Sequence, residues 1–170
     1  MRKILFSFLV AIIFLAGCQS DELSNNTVKN GIEYQVSDDI SFYYPDTFEL
    51  SAATGEEVSF GKEDQKIYYK SIKEDTQNQL DDLDELYIGT LEQEGAQIID
   101  VSKPIIASGL DCYFIKGIYG DVAIRFSELV YFTSSMTYVY GYQAATDKYN
   151  ENSDIIRTYL ETLVIDTGEK

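Results

Sequence analysis

Two short stretches of helical periodicity, set among segments with the alternating pattern of β-strands, decide the fold class of this chain. Apolar residues recur every three or four positions across residues 80–94, which predicts an amphipathic helix that Gly95 ends. The same spacing from Ile156 to Leu163 predicts a second helix, capped by Asn152 or Ser153. The remaining apolar segments are therefore interpreted as strands.

These strand-like segments precede and follow the first helix. They are rich in β-branched and aromatic residues and are separated by turn residues. We assign strands to residues 40–44, 47–50, 58–60, 66–72, 98–101, 105–107, 110–119, 122–132 and 137–144. Because short turns join successive strands, we expect antiparallel pairing. The order of strands, helix, strands and helix predicts an α+β fold, in which a curved antiparallel sheet is flanked by helices.

The first eighteen residues have the organisation of a secretion signal. Two basic residues precede an almost unbroken apolar run over residues 4–15, which is too short for a bilayer-spanning helix of about 20 apolar residues. The segment Leu15-Ala16-Gly17-Cys18 resembles the lipobox of bacterial lipoproteins. This resemblance implies cleavage between Gly17 and Cys18 and a diacylglyceryl group on the Cys18 thiol, with N-acylation also possible.

We therefore expect three parts in the chain. Residues 1–17 form the signal peptide, residues 18–30 carry the lipid and a polar, flexible spacer, and residues 31–170 form one folded domain. Two acyl chains give stable membrane attachment. The mature protein is expected on the extracytoplasmic face of the cell membrane, held by its lipid anchor.

The mature chain is strongly acidic, which limits its partners. Removing Arg2 and Lys3 from the 13 basic residues leaves 11 against 29 acidic residues, a net charge of −18. Nucleic acid is excluded as a partner, because phosphate binding needs clustered Lys and Arg. The expected partners are the membrane, through the anchor, and another envelope protein or ligand.

Cysteine and histidine usage restricts the chemistry. The chain has no histidine, so the usual zinc sites and Ser-His or Cys-His hydrolases are missing. With Cys18 lipidated, no internal disulfide can form, and Cys112 is interpreted as a buried core residue. A small histidine-independent enzyme remains the alternative, with paired carboxylates or a dyad such as Ser71 and Lys73. We predict no catalytic residue and no cofactor.

An acidic segment at the start of the first helix is a candidate for a calcium site. Asp81, Asp82, Asp84 and Glu85 offer hard oxygen ligands, but the segment lacks the glycine and the oxygen spacing of a calcium-binding loop. Carboxylates also stabilise a helix N-terminus through the helix dipole. An acidic, calcium-responsive binding module is therefore a further alternative, and no metal site is assigned.

Tyrosines are concentrated late in the chain and suggest a binding surface. Tyr138, Tyr140 and Tyr142 alternate along one strand, so their rings share one face of the sheet. An outward face would be a platform for a glycan or a protein. An inward face would be cross-strand core packing, which is the more common use of aromatic strand residues.

The layout of the chain over Ile32 to Ile165 resembles the PsbP-like group. The resemblance is carried by the early strand that runs into Pro45, the mid-chain helix followed by glycine-bounded strands, and the strand 138–144 before Tyr149 and the last helix. This group includes the photosystem extrinsic subunit and bacterial lipoproteins such as DcrB. It implies an α-β-α sandwich that serves as a non-catalytic binding or accessory module of the cell envelope. A cystatin-like or NTF2-like curved sheet is the alternative fold.

Overall fold

The described part of the chain folds into two antiparallel sheets and two helices. The computed structural model describes residues 30–75, 82–103, 109–120 and 123–166. Within these residues the elements are β1 (Gly31–Ser37), β2 (Ile40–Pro45), β3 (Glu49–Ala53), β4 (Glu57–Lys62), β5 (Gln65–Lys73), α1 (Leu83–Gln93), β6 (Ala96–Ser102), β7 (Tyr113–Tyr119), β8 (Ile124–Phe132), β9 (Met136–Ala145), α2 (Thr146–Leu160) and β10 (Val164–Ile165). The predicted α+β class is confirmed.

The larger sheet has seven strands in the order β3-β4-β5-β9-β8-β7-β6. Its two halves, β3 to β5 and β6 to β9, are meanders of the kind that the short turns predict. They meet where β5 pairs with β9, from Gln65 opposite Ala144 to Lys73 opposite Met136. This central pairing joins residues that are far apart in sequence, and it places α1 on the connection between the halves.

The smaller sheet has the order β1-β2-β10. The β1–β2 hairpin comes directly after the expected spacer, and β10 pairs with β2 through Val164 opposite Ser41 and Ile165 opposite Ile40. The sequence patterns predicted no strand at Gly31–Ser37 and none at Val164–Ile165. Pairing with β2 accounts for both elements, since β1 and β10 are the edge strands of the small sheet.

Both faces of the large sheet are covered, and this gives the α-β-α layering. The core on one face, shared with α2 and the small sheet, contains Phe42, Phe60, Tyr69, Tyr140, Tyr142 and Leu160. The core on the other face, beneath α1, contains Tyr68, Tyr87, Leu91, Ile115, Phe126 and Val139. The predicted antiparallel sheet flanked by helices is confirmed. Among the described helices, neither is long and apolar enough to cross a membrane.

The helix boundaries differ from the sequence predictions mainly in α2. Helix α1 ends as predicted before Gly95, whose φ of 93° favours glycine. Helix α2 begins at Thr146, so the predicted caps Asn152 and Ser153 lie inside it. The first two turns of α2 are polar apart from Tyr149, whose ring stacks on Tyr142 at 5.7 Å. A single buried anchor is too little for a visible helical period.

Candidate functional site

A buried carboxylate lies in the middle of the large sheet. Glu128 on β8 is 1% exposed, and its side chain is directed toward α1. The hydroxyl of Tyr68 on β5 donates to Oε1 of Glu128 at 2.5 Å, and the hydroxyl of Tyr87 on α1 donates to Oε2 at 2.9 Å. Hydrogen bonds to a charged acceptor are the stronger kind. They satisfy both carboxylate oxygens and tie α1 to the sheet.

Gly141 makes this arrangement possible. It lies on β9 between Tyr68 and Glu128, directly opposite each in the register of the sheet. A Cβ atom on Gly141 would stand 2.5 Å from Cζ of Tyr68, which is far inside van der Waals contact. The ring of Tyr68 therefore crosses the glycine to reach the carboxylate on the next strand.

Lys70 completes the cluster. Its Nζ lies 3.9 Å from Oε1 of Glu128, 5.4 Å from the ring centroid of Tyr87 and 6.0 Å from that of Tyr68. These distances are within the range of cation–π attraction. The Lys70 side chain is 29% exposed. We call Tyr68, Lys70, Tyr87 and Glu128 the Glu128 cluster.

The tyrosines of the Glu128 cluster act only as proton donors in hydrogen bonds at physiological pH. Burial, followed by the negative charge of Glu128, raises the pKa of Tyr68 and of Tyr87 well above the ordinary tyrosine value. The same two causes, in the same order, raise the pKa of the nearby Tyr119 to about 12. The hydroxyls therefore stay protonated and directed at the carboxylate.

A cleft of about 360 Å³ opens beside the cluster, between β5 and α1. Lys70 and Tyr87 contribute to its lining, together with the apolar side chains of Ile72, Leu83, Leu86 and Leu91 and the carboxylates of Glu74 and Glu94. Leu86 is 49% exposed and Ile72 is 36% exposed. The cleft thus combines apolar walls, a net negative lining and one ammonium group.

A second groove, of about 430 Å³, lies between the β1–β2 turn and the β8–β9 hairpin. Tyr131 and Tyr138 line it with their rings stacked at 6.4 Å, beside hydroxyls such as Ser135 and the carboxylates of Asp39 and Asp166. It is a polar recess that a ligand can enter from solvent.

The inward alternative for the tyrosines of β9 holds for two of the three rings. Tyr138, Tyr140 and Tyr142 do share one face, but Tyr140 and Tyr142 are 0% exposed, because α2 and the small sheet cover that face. The Tyr140 hydroxyl donates to the carbonyl oxygen of Tyr43 at 2.7 Å, and that of Tyr142 to Oε1 of Gln65 at 2.9 Å. Only Tyr138, which is partly buried, reaches a surface groove.

The acidic segment before α1 is only partly within the described residues. Asp81 lies outside them, as do Gly17 and Cys18. Asp82 flanks the start of α1, and Asp84 and Glu85 occupy its first turn, where carboxylates stabilise the helix dipole. Among the described residues, no group of three or more Asp, Glu, Cys or His side chains is close enough to hold a metal ion.

Cys112 is a core residue, as the sequence predicted. It is 0% exposed, and burial, with a smaller effect of Asp111, raises the pKa of its thiol to about 12. Nucleophilic cysteines need a stabilised thiolate, so Cys112 carries no reactivity at neutral pH.

Sequence reasoning missed the Glu128 cluster. It singled out Ser71 and Lys73, but side chains alternate along a strand, and Lys70 faces the opposite side of β5. The available signal was Glu128 itself, a single acid within the apolar part of β8. A buried charge needs partners, but their identity depends on strand pairing that no local pattern contains.

The N-terminus defines the class of protein. The model for the prokaryotic membrane lipoprotein lipid attachment site matches residues 1–19, which confirms the predicted lipobox. The chain is therefore a lipid-anchored membrane lipoprotein. No protein of curated function shows significant sequence similarity to it.

Solved structures define the fold more closely. The solution structure of cyanobacterial PsbP (CyanoP) from Synechocystis sp. PCC 6803 has a TM-score of 0.60 at 17% identity, over 89% of this chain and 98% of that one. LpqN of Mycobacterium tuberculosis, described as involved in cell envelope biogenesis, gives 0.55 at 14% identity, over 86% and 96%. A variant of the protein Mog1 gives 0.52 at 11%, over 82% and 98%. The chain is a lipoprotein with the PsbP-like fold.

Proposed function

We propose that this lipoprotein is an accessory module on the extracytoplasmic face of the cell membrane, which binds another envelope protein and catalyses no reaction. The observation that carries the proposal is the combination of a lipid attachment site with a PsbP-like domain whose buried carboxylate, Glu128, is already held by two hydrogen bonds. The involvement of LpqN in cell envelope biogenesis supports a role in the same compartment.

The state of two buried groups, Glu128 and Cys112, supports a binding role. Both oxygens of Glu128 accept tyrosine hydroxyls, whereas a general base has to reach its substrate. Cys112 is enclosed, with its thiol protonated. Nucleophilic catalysis needs an activated group that is open to substrate. Neither Cys112 nor Glu128 meets this requirement.

The expected spacer supports a partner at or near the membrane. Residues 19–30 form a polar segment of 12 residues, and a flexible segment of this length has a root-mean-square span of about 20 Å. The domain therefore samples the volume just above the headgroups. Its net charge of −18 after loss of the signal favours a basic partner surface through electrostatic complementarity.

The cleft between β5 and α1 is the surface we assign to the partner. It has exposed apolar side chains on both elements, Ile72 on β5 and Leu86 on α1. Binding sites combine apolar walls with a few polar groups that fix orientation, and the Glu128 cluster supplies such groups.

Site-specific photo-crosslinking in the native host tests this proposal. A photoreactive residue at Leu86 probes the cleft, and one at Ile99, which is 56% exposed on β6, is the matched control. We expect repeated capture of one envelope protein from Leu86 only, and loss of that product with Cys18→Ala. Equal, diffuse capture from both positions would contradict the partner site. An enzymatic activity abolished by one polar substitution in a folded domain would contradict the non-catalytic role.

A further inference from the structure

We propose that the Glu128 cluster is an ammonium-binding site, and that a lysine side chain of the protein partner occupies it when Lys70 moves out to solvent. This inference rests on the proposed function and names the chemistry that the partner presents. It is independent of which envelope protein the partner is.

The groups of the Glu128 cluster are suited to binding an ammonium. The Lys70 ammonium is held by the rings of Tyr68 and Tyr87 and by the carboxylate of Glu128, at 6.0, 5.4 and 3.9 Å. Aromatic rings attract cations electrostatically, and the carboxylate is almost fully buried. Each of these groups selects a positive charge, and the three converge on one point.

Lys70 is a replaceable occupant of the Glu128 cluster. At 3.9 Å its Nζ is beyond hydrogen-bond distance from Glu128, whereas Tyr68 and Tyr87 hold the two carboxylate oxygens at 2.5 and 2.9 Å. The tyrosines and the carboxylate are therefore fixed by one another. Lysine also regains rotamer freedom when it is released, and exchange for another ammonium leaves the buried charge neutralised.

The Glu128 cluster is accessible from the cleft between β5 and α1. Lys70 and Tyr87 line the cleft, whereas Glu128 and Tyr68 do not, so the Lys70 side chain lies between the cleft and the carboxylate. Ile72 and Leu86 can pack against the methylene stem of an incoming lysine. Glu74 and Glu94 give the cleft a net negative lining, which excludes anionic groups.

Charge identifies the source of the ammonium as a protein. A chain of net charge −18 is repelled by an anionic membrane surface, whereas a basic protein surface is attracted. A lysine side chain also matches the four-carbon stem by which Lys70 itself reaches the site. Aminated lipid headgroups share the ammonium chemistry, and the experiments below separate the two sources.

Rescue by an added amine tests the site. In the full-length lipoprotein in detergent, Lys70→Ala removes the resident ammonium, and we expect n-butylamine to raise its unfolding midpoint by about 3 °C at saturation. The effect should disappear in the double variant Lys70→Ala/Glu128→Gln. Lys73→Ala, three residues further along β5 and exposed, is the matched control and should show no rescue. Absence of rescue in Lys70→Ala would overturn the proposal.

A measurement on the unsubstituted side chain covers the case in which Lys70→Ala does not fold. Reductive methylation with a carbon-13 label gives Lys70 an NMR signal shifted by the two rings. We expect acetyl-Ala-Lys-Ala-amide to move this signal to the position of exposed lysines, and the peptide with norleucine in place of lysine to leave it unchanged. A signal that moves with phosphatidylethanolamine vesicles and not with the peptide would overturn the protein source. If the amine rescue and the NMR measurement both fail, the ammonium-binding site is wrong. The proposed partner site in the cleft is judged separately, by the crosslinking from Leu86.

Discussion

Glu128 is held by its hydrogen bonds, and removing one of them has a defined expected effect. In Tyr87→Phe the ring remains but Oε2 of Glu128 loses its donor. Hydrogen bonds to buried charged groups contribute about 1.5–3 kcal/mol, so we expect the free energy of unfolding to fall by about 2 kcal/mol in urea titrations. The matched control is Tyr43→Phe, because the described residues offer its hydroxyl no hydrogen-bond partner. An equal loss in both variants would show that the carboxylate does not depend on Tyr87.

Gly141 is a second residue at which adding one atom, a Cβ, has a defined expected effect on stability. In Gly141→Ala the new Cβ meets the Tyr68 ring at 2.5 Å and its hydroxyl oxygen at 2.7 Å, so Tyr68 has to leave Glu128. We expect a loss of about 2–3 kcal/mol, the upper range for an overpacked core, measured by chemical denaturation. Gly89→Ala is the control: it lies inside α1, and beyond the adjacent residues and the helix's own backbone no atom lies within 4 Å of the new Cβ. This variant should gain up to about 1 kcal/mol, and destabilisation there would contradict the helix assignment.

At the scale of elements, α2 is the main cover of one sheet face. Two adjacent residues separate its inner and outer sides: Ile156 is 3% exposed, and Ile155 is 57% exposed. We expect Ile156→Ala to lower the free energy of unfolding by about 2–4 kcal/mol, as in other cavity-forming substitutions. Ile155→Ala should change it by less than about 0.5 kcal/mol. Thermal and urea unfolding measure both variants. A larger loss of stability for Ile155→Ala than for Ile156→Ala would contradict this orientation of α2.

Elements with a clear period were predictable from sequence, and long-range pairings were not. Helix α1 shows its stripe of Leu83, Tyr87 and Leu91, and its position was predicted within three residues. The start of α2 was missed because only Tyr149 anchors its first turns. The Glu128 cluster was missed because it requires β5 to pair with β9, whose residues are separated by about seventy positions. Local sequence patterns carry no information about such register.

At the scale of the whole molecule, the buried tyrosines determine the alkaline limit of stability. Burial, as the largest cause, raises the pKa of Tyr69 and Tyr142 to about 12 and that of Tyr68 and Tyr140 well above 10. Above about pH 10, where tyrosines ionise in the unfolded chain, the folded state therefore binds more protons. The free energy of unfolding should be maintained below that pH and fall as the pH rises toward 12.

Urea unfolding at a series of pH values, with ultraviolet absorbance of the phenolate, measures this dependence. The buried tyrosines should ionise together with the loss of secondary structure. Complete titration of all tyrosines near pH 10 in a folded protein would contradict the burial described above.

The pairing of β10 with β2 joins the last described strand to the first hairpin of the domain. Because β10 is the last described strand, β2 is synthesised more than a hundred residues before this partner. The small sheet cannot close until Val164 and Ile165 have emerged. One edge of β2 thus stays unpaired until nearly the whole chain is available, so the small sheet is completed last.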